Sequence, residues 1–508
     1  MTTPNKVYGA SVRLRYSVTV NFLFRILSMF ASLLFVVMVT RRLPVDEFGI
    51  WTMILKYVNY TLPLSVIFAY WLPRTISRGI NTAKTGLMLA VALSFVALAG
   101  YVVVVYMAST YFEQPLIPLL LAAIIVLENY INQCLYAIST AHAPQYIGFA
   151  QFTLRVLQVI LGFPLVVFYR WGLYGVVLST IGARMGVLLL LLLVNYKVIS
   201  ESKIDFKVAK SWFKKSWIPI YESLLSVLLA LDVLIVRSIV GSEEPIAYYG
   251  VSISLMGLMI FSTQAAPALY ARLLAKRDVR DVVDVFWLMY MLSFPMVVGV
   301  LIHAETILAV YNIKYVVASH VARIFSASSL LLLLVSILGT TLKGLEVRDY
   351  TSEDVNLRET VLFKVPTLNF LSIIIYLSSL AILSRLFHHD VLAVSLLWGI
   401  TYCSRFVFLI VTLNWLLKRE FSVSLPYGLF LKYISRFLVA SIGIVAVKFA
   451  FPIEPQISIY PLLRDLALIV LPSALAYFST LYVIDPKMRE FVKAAWSHAS
   501  SFFDRFQG

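Results

Sequence analysis

The sequence predicts an all-α integral membrane protein of about fourteen transmembrane helices. Of its 508 residues, 61% are apolar and 13% are charged, and the mean hydropathy is +0.88. Soluble domains contain about 45–50% apolar and about 25% charged residues. A soluble fold could not bury this much apolar surface, whereas a bilayer solvates it. The spans must be helical, because lipid offers the backbone no hydrogen-bonding partner.

The spans follow from the length of the apolar segments. About twenty apolar residues cross the hydrocarbon core as a helix. Segments of this length occur fourteen times, at 16–40, 50–72, 85–109, 115–139, 147–169, 172–195, 216–238, 246–270, 285–310, 318–342, 362–386, 391–417, 427–451 and 460–484.

The basic residues between the spans predict the orientation. Counting Lys364 at the edge of its span, 26 Lys and Arg residues lie on the side of the N-terminus and four on the other side. Cytoplasmic loops are rich in Lys and Arg, so we expect a multi-pass protein of the plasma membrane with both termini in the cytoplasm. The same bias accounts for the net charge of +16 without nucleic acid. The outer loops are too short for a catalytic domain, and we expect no enzyme.

A repeated turn indicates two halves. The turn of residues 41–49 follows span 1, and a similar turn, 237–250, follows span 7, about 201 residues later. Each has an Arg, an acidic pair and an aromatic-Gly step. Six spans separate the copies, which predicts parallel repeats: two pseudo-symmetric six-helix bundles around a central cavity, plus two C-terminal helices. The predicted parts are an N-terminal lobe (1–196), a cytoplasmic linker (197–215), a C-terminal lobe (216–386, with span 12 at 387–417), appended spans 13–14 (418–486) and a cytoplasmic tail (487–508).

Polar residues on span 1 are the first candidates for a substrate site. Asn21, Arg25, Ser28 and Ser32 are spaced by 4, 3 and 4 residues, so they share one helical face. An ionisable residue inside a span usually faces protein or water. Arg25 therefore lines a cavity or, alternatively, extends its guanidinium to the inner headgroups.

Spans 4 to 6 carry a second polar group. Glu128 and Asn132 lie on span 4, Arg155 on span 5 and Arg184 on span 6. One interpretation is an ion pair of Glu128 with Arg155 or Arg184 that locks the first bundle. The other is that Asn132 and the arginines contact substrate while Glu128 carries a proton or cation.

Span 7 supplies two further ion-coupling candidates, Glu222 and Asp232. The six histidines are scattered, with no pair at i, i+4, and no nucleotide-binding or hydrolase motif is present. We therefore expect no metal, no cofactor and no catalytic residues.

Several segments resemble one family. They are Arg25 with the turn Arg42-Leu43-Pro44-Val45-Asp46-Glu47-Phe48-Gly49, the stretch from Asp232 to Val251, Trp171-Gly172-Leu173-Tyr174-Gly175, and Asn312-Ile313-Lys314-Tyr315. In order and spacing they resemble the polysaccharide and oligosaccharide flippases, the exporter branch of the multidrug/oligosaccharidyl-lipid/polysaccharide exporter superfamily. The resemblance is spread over residues 10–345.

The resemblance implies a transporter that moves lipid-linked oligosaccharide or polysaccharide precursors from the cytoplasmic to the outer leaflet by alternating access. Its partners would be a polyprenyl-phosphate-linked glycan, the bilayer and membrane glycosyltransferases of cell-envelope polysaccharide biosynthesis. The family's cavity arginine on span 1 corresponds to Arg25.

Two other functions compete with this one. A cation-coupled multidrug antiporter of the same superfamily would use carboxylates, for which Glu128 and Asp232 are available, although span 1 has no acid. A membrane-embedded glycosyltransferase or polymerase would need sizeable loops on its catalytic face, and the short outer loops argue against it.

Overall fold

A computed structural model describes residues 14–266, 269–270, 273, 280–346, 357–453, 456–493 and 496. Helices connected by short turns make up these residues, and none of them is in a β-strand. The chain divides into two compact units. The first consists of residues 1–250 and 369–398, and the second of residues 251–368 and 399–508. The division into six-helix lobes made from the sequence stays a prediction.

The first half of the chain forms twelve α-helices. They are α1 (Leu14–Arg42), α2 (Val45–Tyr60), α3 (Val66–Ala69), α4 (Leu72–Ser77), α5 (Ala83–Tyr111), α6 (Leu116–Leu121), α7 (Ala123–His142), α8 (Gln145–Gly162), α9 (Gly172–Ser200), α10 (Phe206–Lys215), α11 (Trp217–Val240) and α12 (Glu244–Met259).

The described residues beyond α12 add six more. They are α13 (Arg280–Tyr311), α14 (Ser319–Leu345), α15 (Val361–Leu386), α16 (Val391–Phe421), α17 (Tyr427–Ala450) and α18 (Ile459–Ile484). Within the described ranges, thirteen helical segments are long and apolar enough to cross a membrane. The predicted class, an all-α protein with about fourteen transmembrane helices, is confirmed.

Of the fourteen predicted spans, 50–72 is the one missing from these thirteen segments, because it is broken into short helices. α2 ends at Tyr60, a 3₁₀ turn runs over Leu62–Ser65, and α3 and α4 follow. Pro63 has no backbone N–H and disfavours a helical residue before it, so the helix stops there. At the break, the carbonyl of Thr61 accepts a hydrogen bond from the buried hydroxyl of Tyr130.

Span 8 breaks at the corresponding place. α2 and α12 both have 16 residues, and α12 also continues as a 3₁₀ turn, Ile260–Ala265. The carbonyl of Met259 accepts a hydrogen bond from Ser293 Oγ at 2.5 Å. The predicted span 246–270 is thus irregular after Met259, and residues 267–268 lie outside the described part. Each repeated turn therefore leads into a helix of 16 residues that is followed by a 3₁₀ turn.

The two repeated turns pack on each other inside the first unit. A Cβ at Gly49 would lie 2.4 Å from the carbonyl oxygen of Glu243, and a Cβ at Gly250 would lie 2.6 Å from Thr52 Oγ1. Only glycine allows such approaches. Arg237 Nε also pairs with Glu243 Oε1 at 2.7 Å. The aromatic-Gly step of each copy is thus the place where its hairpin meets the other copy.

Helices α17 and α18 are attached to α13 in the second unit. The rings of Phe286 and Phe430 stack with centroids 3.9 Å apart. Asp485, fully buried beyond the end of α18, accepts hydrogen bonds from Trp287 Nε1 and Arg436 Nη1, each at 2.7 Å. The predicted appended pair is therefore fixed to span 9 by stacked rings and by a shared carboxylate.

Candidate functional site

The polar residues of span 4 lie along one side of α7. Glu128, Asn129, Asn132 and Gln133 recur at intervals of three and four residues, which places them on one helical face. Glu128 is 3% exposed and Asn132 is 6% exposed. Such burial of a carboxyl group inside a span requires a neighbouring charge, a proton or water.

Arg184 on α9 contacts this face directly. Its Nη1 donates a hydrogen bond to Asn129 Oδ1, and its backbone carbonyl accepts one from Asn132 Nδ2 at 3.4 Å. The charges of Arg155 and Glu128 both act on its guanidinium. Arg155 Nη1 itself donates to Gln158 Oε1 at 3.0 Å. The fold therefore brings together four of the residues singled out from the sequence: Glu128, Asn132, Arg155 and Arg184.

A cavity of about 50 Å³ lies between α7, α8 and α9. It is lined by Asn129, Asn132, Gln133, Tyr136, Leu154, Arg184 and Val187. Both oxygens of Glu128, Oδ1 of Asn132 and Nε of Arg184 are buried without a hydrogen-bond partner. A polar cavity of this size admits water or a small polar group. We call the seven cavity-lining residues, together with Glu128 and Arg155, the polar cluster.

The polar cluster has an excess of positive charge. The guanidinium group of Arg184 lies near both Arg155 and Glu128, so two positive groups accompany one carboxyl group, and the carboxylate oxygens of Glu128 accept no hydrogen bond. No hydrogen bond therefore supports the ion pair of Glu128 with Arg155 or Arg184 that was one interpretation of the sequence, and the role of Glu128 stays a prediction. The arrangement can attract an anion through the guanidinium groups or hold a proton or cation at Glu128.

The span 1 residues lie against α8 and are not among the cavity-lining residues. Asn21 donates from Nδ2 to the carbonyl of Pro144 at 2.8 Å and accepts the N–H of Gly148 at 2.6 Å. Its amide thus fastens α1 to the start of α8. Arg25 is half-buried on the same helix.

Asp232 belongs to a separate group in the first unit. Its side chain is fully buried and pairs with Lys56 Nζ at 3.4 Å. Glu222 is exposed and lies ten residues earlier on α11, about 15 Å along the helix axis. The fold therefore does not bring the two candidate carboxylates of span 7 together.

Lys56 is not among the candidate residues taken from the sequence. The signal was present, since Lys56 lies within the predicted span 50–72, and an ionisable residue inside a span usually has a partner. Among the described residues, no group of three His, Cys, Asp or Glu side chains could hold a metal ion.

No protein-family model matches the chain, and no curated protein sequence matches it significantly. Solved structures do match. The lipid II flippase MurJ, in an inward closed conformation, has a TM-score of 0.62 and 14% sequence identity, covering 94% of this chain and 100% of its own. The chain has the fold of the multidrug/oligosaccharidyl-lipid/polysaccharide exporter superfamily. The fold expected from the resemblance is confirmed.

Multidrug resistance transporters of the MATE family share this fold. An inward-facing structure has a TM-score of 0.57 and 10% identity, and covers 79% of this chain and 96% of its own. An outward-facing structure has a TM-score of 0.55 and 13% identity, and covers 84% and 100%. These neighbours are named as a flippase and as transporters, not as enzymes. The chain is thus a multi-pass membrane protein with a transporter fold.

Proposed function

We propose that the protein is a flippase that carries lipid-linked oligosaccharide or polysaccharide precursors from the cytoplasmic to the outer leaflet by alternating access. The observation that carries this proposal is the polar cluster, in which two half-buried guanidinium groups outnumber one carboxyl group. A polyprenyl-linked glycan carries a phosphate or pyrophosphate, the anion that guanidinium groups recognise best.

An available donor on Arg184 and the membrane potential both favour this assignment. Arg184 has a buried Nε without a hydrogen-bond partner, so the group has a donor available for an acceptor oxygen. Moving an anion outward across an inside-negative membrane is downhill by about 2.3 kcal/mol per charge per 100 mV. The membrane potential can therefore drive transport without a coupled ion.

The extent of the structural matches also supports a flippase. The outward-facing MATE structure is matched over its whole length yet leaves 16% of this chain uncovered, because it covers 84%. Residues 418–508, with spans 13 and 14, form a comparable share of the chain. MurJ, named a lipid II flippase, covers 94%. The same proposal places both termini in the cytoplasm of a plasma-membrane protein, on the strength of the loop charges.

Arg184→Gln tests the proposal. Cells that lack the gene are complemented with this variant, and lipid-linked precursor in each leaflet and surface glycan are measured. We expect precursor to accumulate in the cytoplasmic leaflet and surface glycan to fall by about tenfold or more, since a charge-assisted contact contributes about 1.5–3 kcal/mol. The matched control is Arg42→Gln, at the exposed end of α1. Normal surface glycan with Arg184→Gln at normal protein levels would refute the role of the cluster.

Arg25 has a place in the same proposal. Because α1 packs against α8, which carries Arg155, we place Arg25 on the path of the phosphate toward the polar cluster. Arg25→Ala should abolish transport, while Arg25→Lys should keep part of it, because the charge stays and the bidentate fork is lost. Equal activities of the two variants would contradict this role.

One observation favours a cation-coupled multidrug antiporter as the second candidate. Both oxygens of Glu128 are buried without a hydrogen-bond partner, as expected of a carboxyl group that takes up a proton or cation. Glu128→Gln removes this capacity and keeps the side-chain volume. Greater sensitivity to cationic drugs, with normal surface glycan, would favour the antiporter. Unchanged drug sensitivity, with glycan export intact, would favour the flippase.

A further inference from the structure

Five side chains from five helices form a closed ring in the first unit. Lys56 lies on α2, Asp232 on α11, Tyr249 on α12, Tyr376 on α15 and Trp398 on α16. We call them the Asp232 ring. None of them touches the cavity of the polar cluster, so the ring is a second and separate charged group.

Asp232 accepts hydrogen bonds at both oxygens. Oδ1 pairs with Lys56 Nζ at 3.4 Å and accepts the N–H of Val233 at 2.8 Å. Oδ2 accepts a hydrogen bond from the hydroxyl of Tyr376 at 3.1 Å. The carboxylate therefore has a positive partner and two neutral donors, although the side chain is fully buried.

Aromatic side chains close the ring and hold its hydroxyl groups in place. Lys56 Nζ donates to Tyr249 Oη at 3.0 Å, and Trp398 Nε1 donates to Tyr376 Oη at 2.8 Å. The rings of Tyr249 and Trp398 stack with centroids 4.3 Å apart and planes 7° apart. The indole of Trp398 thus holds both tyrosines, Tyr249 by stacking and Tyr376 by a hydrogen bond.

A carboxylate buried inside a membrane span needs a positive partner or a proton. At Asp232 the ammonium group of Lys56 is that partner, and a soluble cation would have to displace it. We propose that Lys56 is the built-in counter-ion of Asp232, so that transport by this protein takes place with neither sodium nor a proton bound at this carboxylate. The inference deepens the proposed function, because it removes one of the two buried carboxylates that could couple a cation to the movement of an anionic cargo.

Removal of the lysine should create a cation site. In Lys56→Met, the position of Nζ is left among oxygen atoms of Asp232 and Tyr249, the kind of ligand that hard cations prefer. The titratable groups around it are Tyr60, Tyr249 and Tyr376, beside Asp232 itself. The uncompensated carboxylate must then bind a cation or take up a proton.

The test measures the unfolding temperature of the purified full-length protein in NaCl and in choline chloride at equal ionic strength. The wild type should unfold at the same temperature in both salts. Lys56→Met should unfold roughly 3–8 °C lower, because a buried charge has lost its partner. NaCl, or a fall in pH, should recover part of this difference. Lys432→Met, an exposed lysine on α17, is the matched control and should respond to neither.

The double variant Lys56→Met/Asp232→Asn keeps the proposal testable if the single variant does not fold. Removing both charges should restore folding without a sodium response, since a pair removed together costs little. Sodium-specific stabilisation of the wild type that Asp232→Asn abolishes would overturn the proposal. So would a Lys56→Met protein with wild-type stability and no response to sodium or pH, or a double variant that fails to fold. The measurement uses no substrate, so its result is independent of the Arg184→Gln test.

Discussion

The close contact between the two repeated turns predicts how much Gly49→Ala destabilises the protein. A Cβ at Gly49 would lie 2.4 Å from the carbonyl oxygen and 2.8 Å from the Cβ of Glu243. Ordinary contact begins at 3.4 Å, so Gly49→Ala must push α2 and the turn apart by about 1 Å. Overpacking of this kind costs up to about 3 kcal/mol, and the better helix propensity of Ala returns about 1 kcal/mol. We expect a net loss of about 2 kcal/mol.

The assay compares Gly49→Ala with Gly100→Ala. Gly100 is exposed on α5, and a Cβ there would meet nothing within 4 Å. Gly100→Ala should therefore change stability only through the higher helix propensity of Ala. The loss of about 2 kcal/mol corresponds to an unfolding temperature roughly 2–4 °C below wild type for a unit or chain of this size, whereas Gly100→Ala should unfold at or slightly above it. Equal unfolding temperatures for the two variants would refute the close approach of the turns.

The atoms that would clash at Gly250 and Gly49 predict which second substitution restores stability. At Gly250 the closest atom is Thr52 Oγ1 at 2.6 Å, with Thr52 Cγ2 at 3.3 Å, so Thr52→Ala should rescue Gly250→Ala. At Gly49 the closest atom belongs to the backbone of Glu243, and truncation of that side chain should rescue nothing. Rescue of Gly49→Ala by Glu243→Ala would contradict the geometry of the turn.

Two further variants test the helix break and the attachment of spans 13 and 14. Tyr130→Phe removes the hydrogen bond to the carbonyl of Thr61 at the break and should cost about 0.5–1.5 kcal/mol, measured as a lower unfolding temperature; wild-type stability would contradict this contact. Asp485→Asn should destabilise the second unit by about 3–5 kcal/mol, because Arg436 loses its buried counter-charge, while Trp287→Phe should cost less because only a neutral donor is lost. The reverse order in thermal unfolding would contradict the shared-carboxylate contact.

The sequence by itself determined the class and the approximate spans, because the thickness of the bilayer sets the length of an apolar segment. The repeated turns could also be found in it, since the acidic pair and the aromatic-Gly step recur at a fixed offset. The polar cluster was partly predictable: Glu128, Arg155 and Arg184 are conspicuous in apolar surroundings, and the fold brings them together. The roles assigned to Arg25, Asn132, Glu222 and the other candidates stay predictions.

Only the tertiary structure decided which polar groups meet. Hydropathy treats residues 50–72 as one span, yet the helix ends at Tyr60, and the hydroxyl of Tyr130 on α7 donates to the carbonyl of Thr61 at the break. The sequence left a partner for Glu128 open, and the fold directs Arg184 to Asn129 instead. Lys56 and Asp232 are 176 residues apart in the chain, and no local pattern encodes such a pairing. Helix packing brings distant groups within reach, and the cost of a buried, unpaired charge selects the pairs that remain.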